Sequence, residues 1–211
     1  MPYFKEINTL FIHIPKTGGS NIENYIFHTY KLKKNINNLL SYNNIDNVNI
    51  KINLHSLQHM TYNEIYENKE FFNINIEDNK IKIFTVVRNP YDRIISDLLF
   101  LKLIEHNSSK EYIENQIHIY LKNEYDYDNH KIPQNDFLIN NKNILEERIK
   151  ILKTETLNND MKELGFSNFE KYCNYSKYKN YDYNKYLSYK SIEMINNYYK
   201  KDFELFNYNM I

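Results

Sequence analysis

Glycine is nearly missing from this chain, with three in 211 residues. Two of the three are adjacent, Gly18 and Gly19, where an apolar run meets a helical one. Glycine opens backbone conformations closed to other residues and lets a neighbour come close, so the pair marks a tight turn or a ligand lying against the main chain. Cysteine occurs once, at Cys173, which excludes an internal disulfide framework and fits a reducing compartment. That thiol has no Cys/His cluster beside it and reads as structural or incidental. Net charge is also missing, because 27 Lys and Arg balance 27 Asp and Glu. No global field therefore draws the chain to nucleic acid or an acidic membrane, and any anion site has to be local. Lys, Asn or Asp interrupts every apolar run well short of the roughly 20 residues of a membrane span, and the start MPYFKEINTL lacks the apolar core of a secretory signal. The expectation is a soluble, cytoplasmic protein without membrane insertion.

Asn, Ile, Lys and Tyr are abundant instead. The 21 tyrosines read as composition rather than as an aromatic binding code, since apolar periodicity persists through the Asn- and Tyr-rich stretches. Four runs have the pattern of buried strands: Leu10–Ile14, Val48–Leu54, Ile81–Val87 and Arg148–Leu152. Helical sequence follows each. Ser20 to Glu23 and Thr61 to Glu64 both spell capping boxes. Asn89-Pro90-Tyr91-Asp92 is a strong helix start, with an N-cap asparagine, proline at the first helical position and an acid at the positive end. Further helices are expected near Ser109–Leu121, before a C-capping Gly165, and over Ser188–Phe206. Alternating strands and helices imply an α/β sandwich with a mainly parallel sheet, and no linker or repeat divides residues 1–211, so a single domain is expected. Ligands in such sheets bind beyond the carboxyl ends of the strands. That rule selects the loop at 15–20, His55, and Arg88 with the helix behind it.

Backbone amides of Lys16-Thr17-Gly18-Gly19-Ser20 and the helix start after them can converge on a phosphate-like anion, helped by the helix dipole. Lys16 adds a mobile charge, and Thr17 and Ser20 add hydroxyls. This is not a Walker A motif, in which lysine follows the last glycine; here it precedes both. Arg88 leaves its strand at the carboxyl end and Ser96 lies about two turns into the next helix, so together they can hold a second phosphate. Arg93 pairs more naturally with Asp92, Asp97 or another carboxylate. Among the histidines, His13 inside the first strand suits a packed or hydrogen-bonded role, while His28, His106, His118 and His130 read as surface residues. No grouping has metal-ligand spacing. His55-x-x-x-His59 lacks the glutamate of a zinc-protease helix, and no metal is expected.

The two phosphate sites together resemble a known family. FIHIPKTGGSN is similar to the 5′-phosphosulfate-binding loop of the sulfotransferases, in the branch that holds the carbohydrate enzymes, and FTVVRNPYDRIISDLLF is similar to that branch's 3′-phosphate-binding segment. Weaker resemblance runs through Pro133–Leu138, Lys153–Leu157 and the closing YYKKDFELFNY. The resemblance implies a P-loop-NTPase-like three-layer sandwich and 3′-phosphoadenosine 5′-phosphosulfate as co-substrate. Lys16, Thr17, Gly18, Gly19, Ser20 and Asn21 would hold the 5′-phosphosulfate, Arg88 and Ser96 the 3′-phosphate, and Ser176 and Lys177 are candidates for further nucleotide contact. Sulfuryl transfer to a hydroxyl needs a base for the acceptor proton and stabilisation of the departing oxygen. Lys16 suits the second role. His55 resembles the family's histidine between the two nucleotide motifs and is preferred for the first, with His59 as its rival. The acceptor is expected to be a carbohydrate hydroxyl, contacted by loops 28–47 and 122–142, with Lys31, Lys33 and Lys34 available to an anionic glycan. A P-loop-like phosphotransferase and a non-catalytic nucleotide- or glycan-binding protein are the alternatives.

Overall fold

The computed structural model describes residues 3–32, 55–171 and 181–211. Among these residues four strands form one sheet in the order β1 (Tyr3–Phe4), β2 (Thr9–Ile12), β3 (Lys82–Val87) and β4 (Lys150–Lys153). β1 runs antiparallel to β2, whereas β2, β3 and β4 are mutually parallel, with Ile12 opposite Thr85 and Val87 opposite Lys153. Three of the expected strands are thus present within a residue or two. The fourth, Val48–Leu54, lies outside the described residues, as do Cys173, Ser176, Lys177, Lys33 and Lys34.

β2 is buried along its whole length and β3 over all but its first residue, as strands covered on both faces should be. The period of two then divides their side chains. Leu10, Ile12, Ile83 and Val87 face one apolar cluster, completed by Leu57, Met60, Ile65 and Phe137. Phe11, Phe84 and Val86 face the other, where helix α1 (Gly19–Thr29) contributes Ile22 and Ile26. Both isoleucines are fully buried, worth about 1.5–3 kcal/mol each. A third cluster lies among helices α3 (Pro90–Phe100), α4 (Lys110–Lys122), α7 (Tyr189–Tyr198) and α8 (Lys200–Phe206).

Local signals set most helix ends. α2 (Tyr62–Glu67) begins with a complete capping box, as Thr61 accepts from the Glu64 N–H and Glu64 accepts from the Thr61 N–H. Asn89 caps α3 by accepting from the Tyr91 N–H at 3.0 Å. α5 (Leu157–Glu163) gives way to Gly165 at φ +94°, where the Phe166 N–H returns to the Met161 carbonyl at 2.8 Å. Two expectations are corrected. Ser20 is not an N-cap, because α1 starts one residue earlier and Gly18, at φ 98°, occupies the cap position. The last helix is two, since Tyr199 at φ −104°, ψ 23° separates α7 from α8, after a single turn, α6, at Tyr183–Tyr186.

Candidate functional site

The parallel register places the carboxyl ends of β2, β3 and β4 at one edge of the sheet, so the segments that follow them meet. Thr154, just after β4, donates to the Thr17 carbonyl at 2.8 Å and to the Val87 carbonyl at 3.2 Å. Arg88 donates through Nη1 to the Lys16 carbonyl at 3.2 Å. Its own N–H and C=O are both held by the fully buried Gln134 amide, at 2.9 Å each, and the Asp202 carboxylate on α8 accepts from the Gln134 and Asn135 N–H groups.

A cavity of about 220 Å³ opens at this edge. The loop before α1 and the first turn of α1 line it with Pro15, Lys16, Gly18, Gly19 and Ser20, and the end of β3 and α3 line it with Arg88, Ser96 and Phe100. The two phosphate motifs of the sequence therefore share one cavity. Thr17 does not line it, since its hydroxyl turns back to the Ile14 carbonyl at 2.9 Å, and Asn21 is also outside it. Lys16 takes a left-handed backbone, φ 66°, and its ammonium rests 3.8 Å from the centre of the exposed Phe100 ring. Burial pushes the Lys16 pKa below its ordinary value; the Asp97 carboxylate opposes this and the Arg88 guanidinium adds to it.

Gly18 and Gly19 meet separate needs. Gly18 supplies the positive φ. Gly19 makes room for His13, because a Cβ there would stand 2.2 Å from the His13 Nε2. That imidazole sits 2.7 Å from Glu23 through Nδ1, and the Gln58 amide donates to the same carboxylate at 3.0 Å. The expected hydrogen-bonded role for His13 is met, and its ring also lines the cavity.

The other wall holds His59 and His130. His59 donates from Nδ1 to Asp128 Oδ2 at 2.9 Å. Burial depresses its pKa; the Asp128 hydrogen bond opposes that, while neighbouring His13 adds to it. Burial pushes the Asp128 carboxyl up, but the bonds from His59 and Ser56 outweigh it and hold it at about 2. His55 is placed differently. It is buried outside this cavity, with Nε2 2.8 Å from Glu64 and Nδ1 3.0 Å from the Ser56 carbonyl. Both neighbours are acceptors, so the ring is favoured as the cation. Burial alone would lower its pKa, but the Glu64 carboxylate and the Ser56 carbonyl raise it above the ordinary value.

Several sequence expectations change here. His130 is buried, not on the surface, with Nδ1 2.5 Å from Asp97 Oδ1 and its ring stacked on Phe100. His106 is exposed as expected, but it is not without a partner, with Nδ1 2.8 Å from the Tyr186 hydroxyl. Arg93 donates to the carbonyls of Pro15, Ile132 and His130, at 3.2, 2.9 and 2.6 Å, and so ties the two cavity walls together instead of pairing with an acid. No metal grouping was expected from the spacing, yet among the described residues His59, Asp128 and His130 form one that could hold a metal ion. Asp128, His130 and Gln58 carry no motif, and only the fold brings them here.

A model of the family described as the sulfotransferase family matches residues 3–189. The chain belongs to that family, whose members move sulfuryl groups to acceptor hydroxyls and generally take them from 3′-phosphoadenosine 5′-phosphosulfate. No curated protein and no solved structure matches it significantly. Among the described residues no helix is long and apolar enough to cross a membrane.

Proposed function

We propose that this cavity transfers a sulfuryl group from 3′-phosphoadenosine 5′-phosphosulfate to a hydroxyl, and that the acceptor is a carbohydrate. The observation that carries the reading is the convergence of two cationic segments on one cavity. Lys16 with the amides and hydroxyl of Gly18, Gly19 and Ser20 suits the 5′-phosphosulfate, and Arg88 with Ser96 suits the 3′-phosphate. Thr17 and Asn21 support this loop through the main chain. The mainly parallel sheet, with this loop between its second strand and first long helix, agrees with a P-loop-like sandwich.

In the reaction the acceptor oxygen bonds to sulfur, and the bond from sulfur to the bridging oxygen breaks. The nucleotide keeps that electron pair. Lys16 balances the charge growing on the bridging oxygen, a stabilisation useful mainly in the transition state. His59 takes the acceptor proton through Nε2, while Asp128 holds Nδ1–H and orients the ring. We assign this role to His59 over His55 because His59 lines the cavity and has a nitrogen not committed to an acceptor, whereas both His55 nitrogens face acceptors. The loop at 122–142 supplies His130 to the same wall and Asp128 to the back of His59, which favours it as part of the acceptor surface.

Two separated anion sites predict a preference for two phosphates. Adenosine 3′,5′-bisphosphate should raise the melting temperature far more than AMP at equal concentration, because a ligand stabilises only through its affinity for the folded state. Arg88→Ala should remove most of the difference. Equal shifts from the two nucleotides in the wild-type protein would refute the assignment of the second site.

A further inference from the structure

The His59 wall has a capacity that sulfuryl transfer does not use. His59, Asp128 and His130 each offer one ligand atom, and these atoms lie within 4.8 Å of one another. We propose that the three side chains form a binding site for a zinc-class divalent ion, two imidazoles and a carboxylate, with the remaining coordination open to the cavity.

The donor set selects the ion. Imidazole nitrogens with one carboxylate suit Zn²⁺ or Co²⁺, whereas Mg²⁺ and Ca²⁺ take oxygen ligands. Zinc bonds of about 2.0–2.2 Å in a tetrahedron keep ligand atoms about 3.4 Å apart, so the 4.8 Å group has to close by about 1.4 Å at its widest. The surroundings resemble the outer shell of a metal centre. Asp97 holds His130 by Nδ1 at 2.5 Å, and the other Asp97 oxygen accepts from the buried Tyr120 hydroxyl. This fixes the ring and leaves Nε2 as the ligand atom. The Ser56 hydroxyl holds Asp128 Oδ2 at 3.0 Å, and the Ser56 N–H holds Oδ1. Metal-binding imidazoles and carboxylates are commonly oriented by such partners. His59 stands beside His130, ring edge to ring face, with centroids 5.1 Å apart. Lys16 and Arg88 line the same cavity and repel a dication, which Asp97 and Asp128 offset, so affinity should fall short of a structural zinc site.

An ion there draws His59 out of its bond to Asp128. On the reading of His59 as the base, bound ion silences transfer and a chelator restores it; the binding claim itself does not rest on that reading. The test titrates the whole chain, free of nucleotide, with Zn²⁺ by calorimetry and with Co²⁺ by visible absorption. One ion per chain should bind saturably, with the intense Co²⁺ bands of a four-coordinate centre. Asp97→Asn removes no ligand yet should weaken binding about 10–100-fold, as loss of an orienting partner does. His118→Ala, at an exposed histidine on α4, should leave it unchanged. Absence of saturable binding by the wild-type protein overturns the proposal, and so does undiminished affinity in folded His130→Ala and Asp128→Asn variants. Binding that leaves turnover intact supports the ion site and removes His59 from the reaction, so the two claims fail separately.

Discussion

His55 and His59 are four positions apart and differ in what their ring nitrogens face. His55 lies between the Glu64 carboxylate and the Ser56 carbonyl, which suits an imidazolium and leaves no lone pair to accept a proton. His59 gives one nitrogen to Asp128 and lines the cavity with its ring. His59→Ala should therefore lower kcat by about 10²–10⁴, the usual span of general-base catalysis, with nucleotide affinity preserved. His55→Gln should keep most of the turnover and lose stability instead; the reverse pattern in steady-state kinetics would return the base to His55. The pH dependence of that stability has a defined sign. Folding raises the His55 pKa above 6.5, so its contribution is full below that value and fades as pH rises through the folded pKa. Glu64 is depressed below 4.5, so its share is present above that value and fades as pH falls through the folded pKa. Denaturant unfolding of wild type and His55→Gln should differ most between about pH 4.5 and 6.5 and converge in alkali. A gap that widened toward alkaline pH would contradict the ion pair.

Helix α1 begins where β2, the glycine pair and His13 meet, and its start depends on their fit. Gly18 provides a left-handed cap, and Gly19 leaves the space that the His13 ring fills. The sequence announced a special backbone at the pair, but not that a side chain would claim one of the two glycines, because His13 and Glu23 are only brought together by the turn between them. Gly19→Ala should cost about 1–3 kcal/mol by overpacking, against the small helical gain of alanine. In a His13→Ala background the same change should be neutral or stabilising. Thermal unfolding of the four proteins measures this coupling, and equal effects of Gly19→Ala in both backgrounds would disprove the contact. Helix α3 was more legible. Its Asn-Pro start, its apolar stripe and the Arg88–Ser96 spacing all appear as expected, since each depends on neighbours within two turns. Arg93 was not legible, because its three carbonyl partners come from Pro15 and from residues 130 and 132.

At the scale of the whole molecule, the parallel order of β2, β3 and β4 delivers three strand ends to one edge, and that edge holds both segments proposed to bind the phosphates. Strand periodicity and the two motifs made this much readable from the chain. The wall formed by His59 and His130, with Asp128 behind it, was not, since Asp128 lies 69 positions beyond His59 and no local pattern links them. On the proposed reading these parts act together as a sulfuryl-transferring centre with Lys16 at the departing oxygen. The most direct measurement follows radiolabelled sulfate from 3′-phosphoadenosine 5′-phosphosulfate into a panel of carbohydrate, phenol and simple alcohol acceptors. Wild-type protein and Lys16→Ala are compared, with adenosine 3′,5′-bisphosphate binding measured alongside. Wild type should label the carbohydrate class, and Lys16→Ala should transfer about 10²–10³-fold more slowly, the usual cost of losing one charge-stabilising donor, while still binding the bisphosphate. A wild-type protein that binds the bisphosphate but transfers label to no acceptor faster than Lys16→Ala would contradict it.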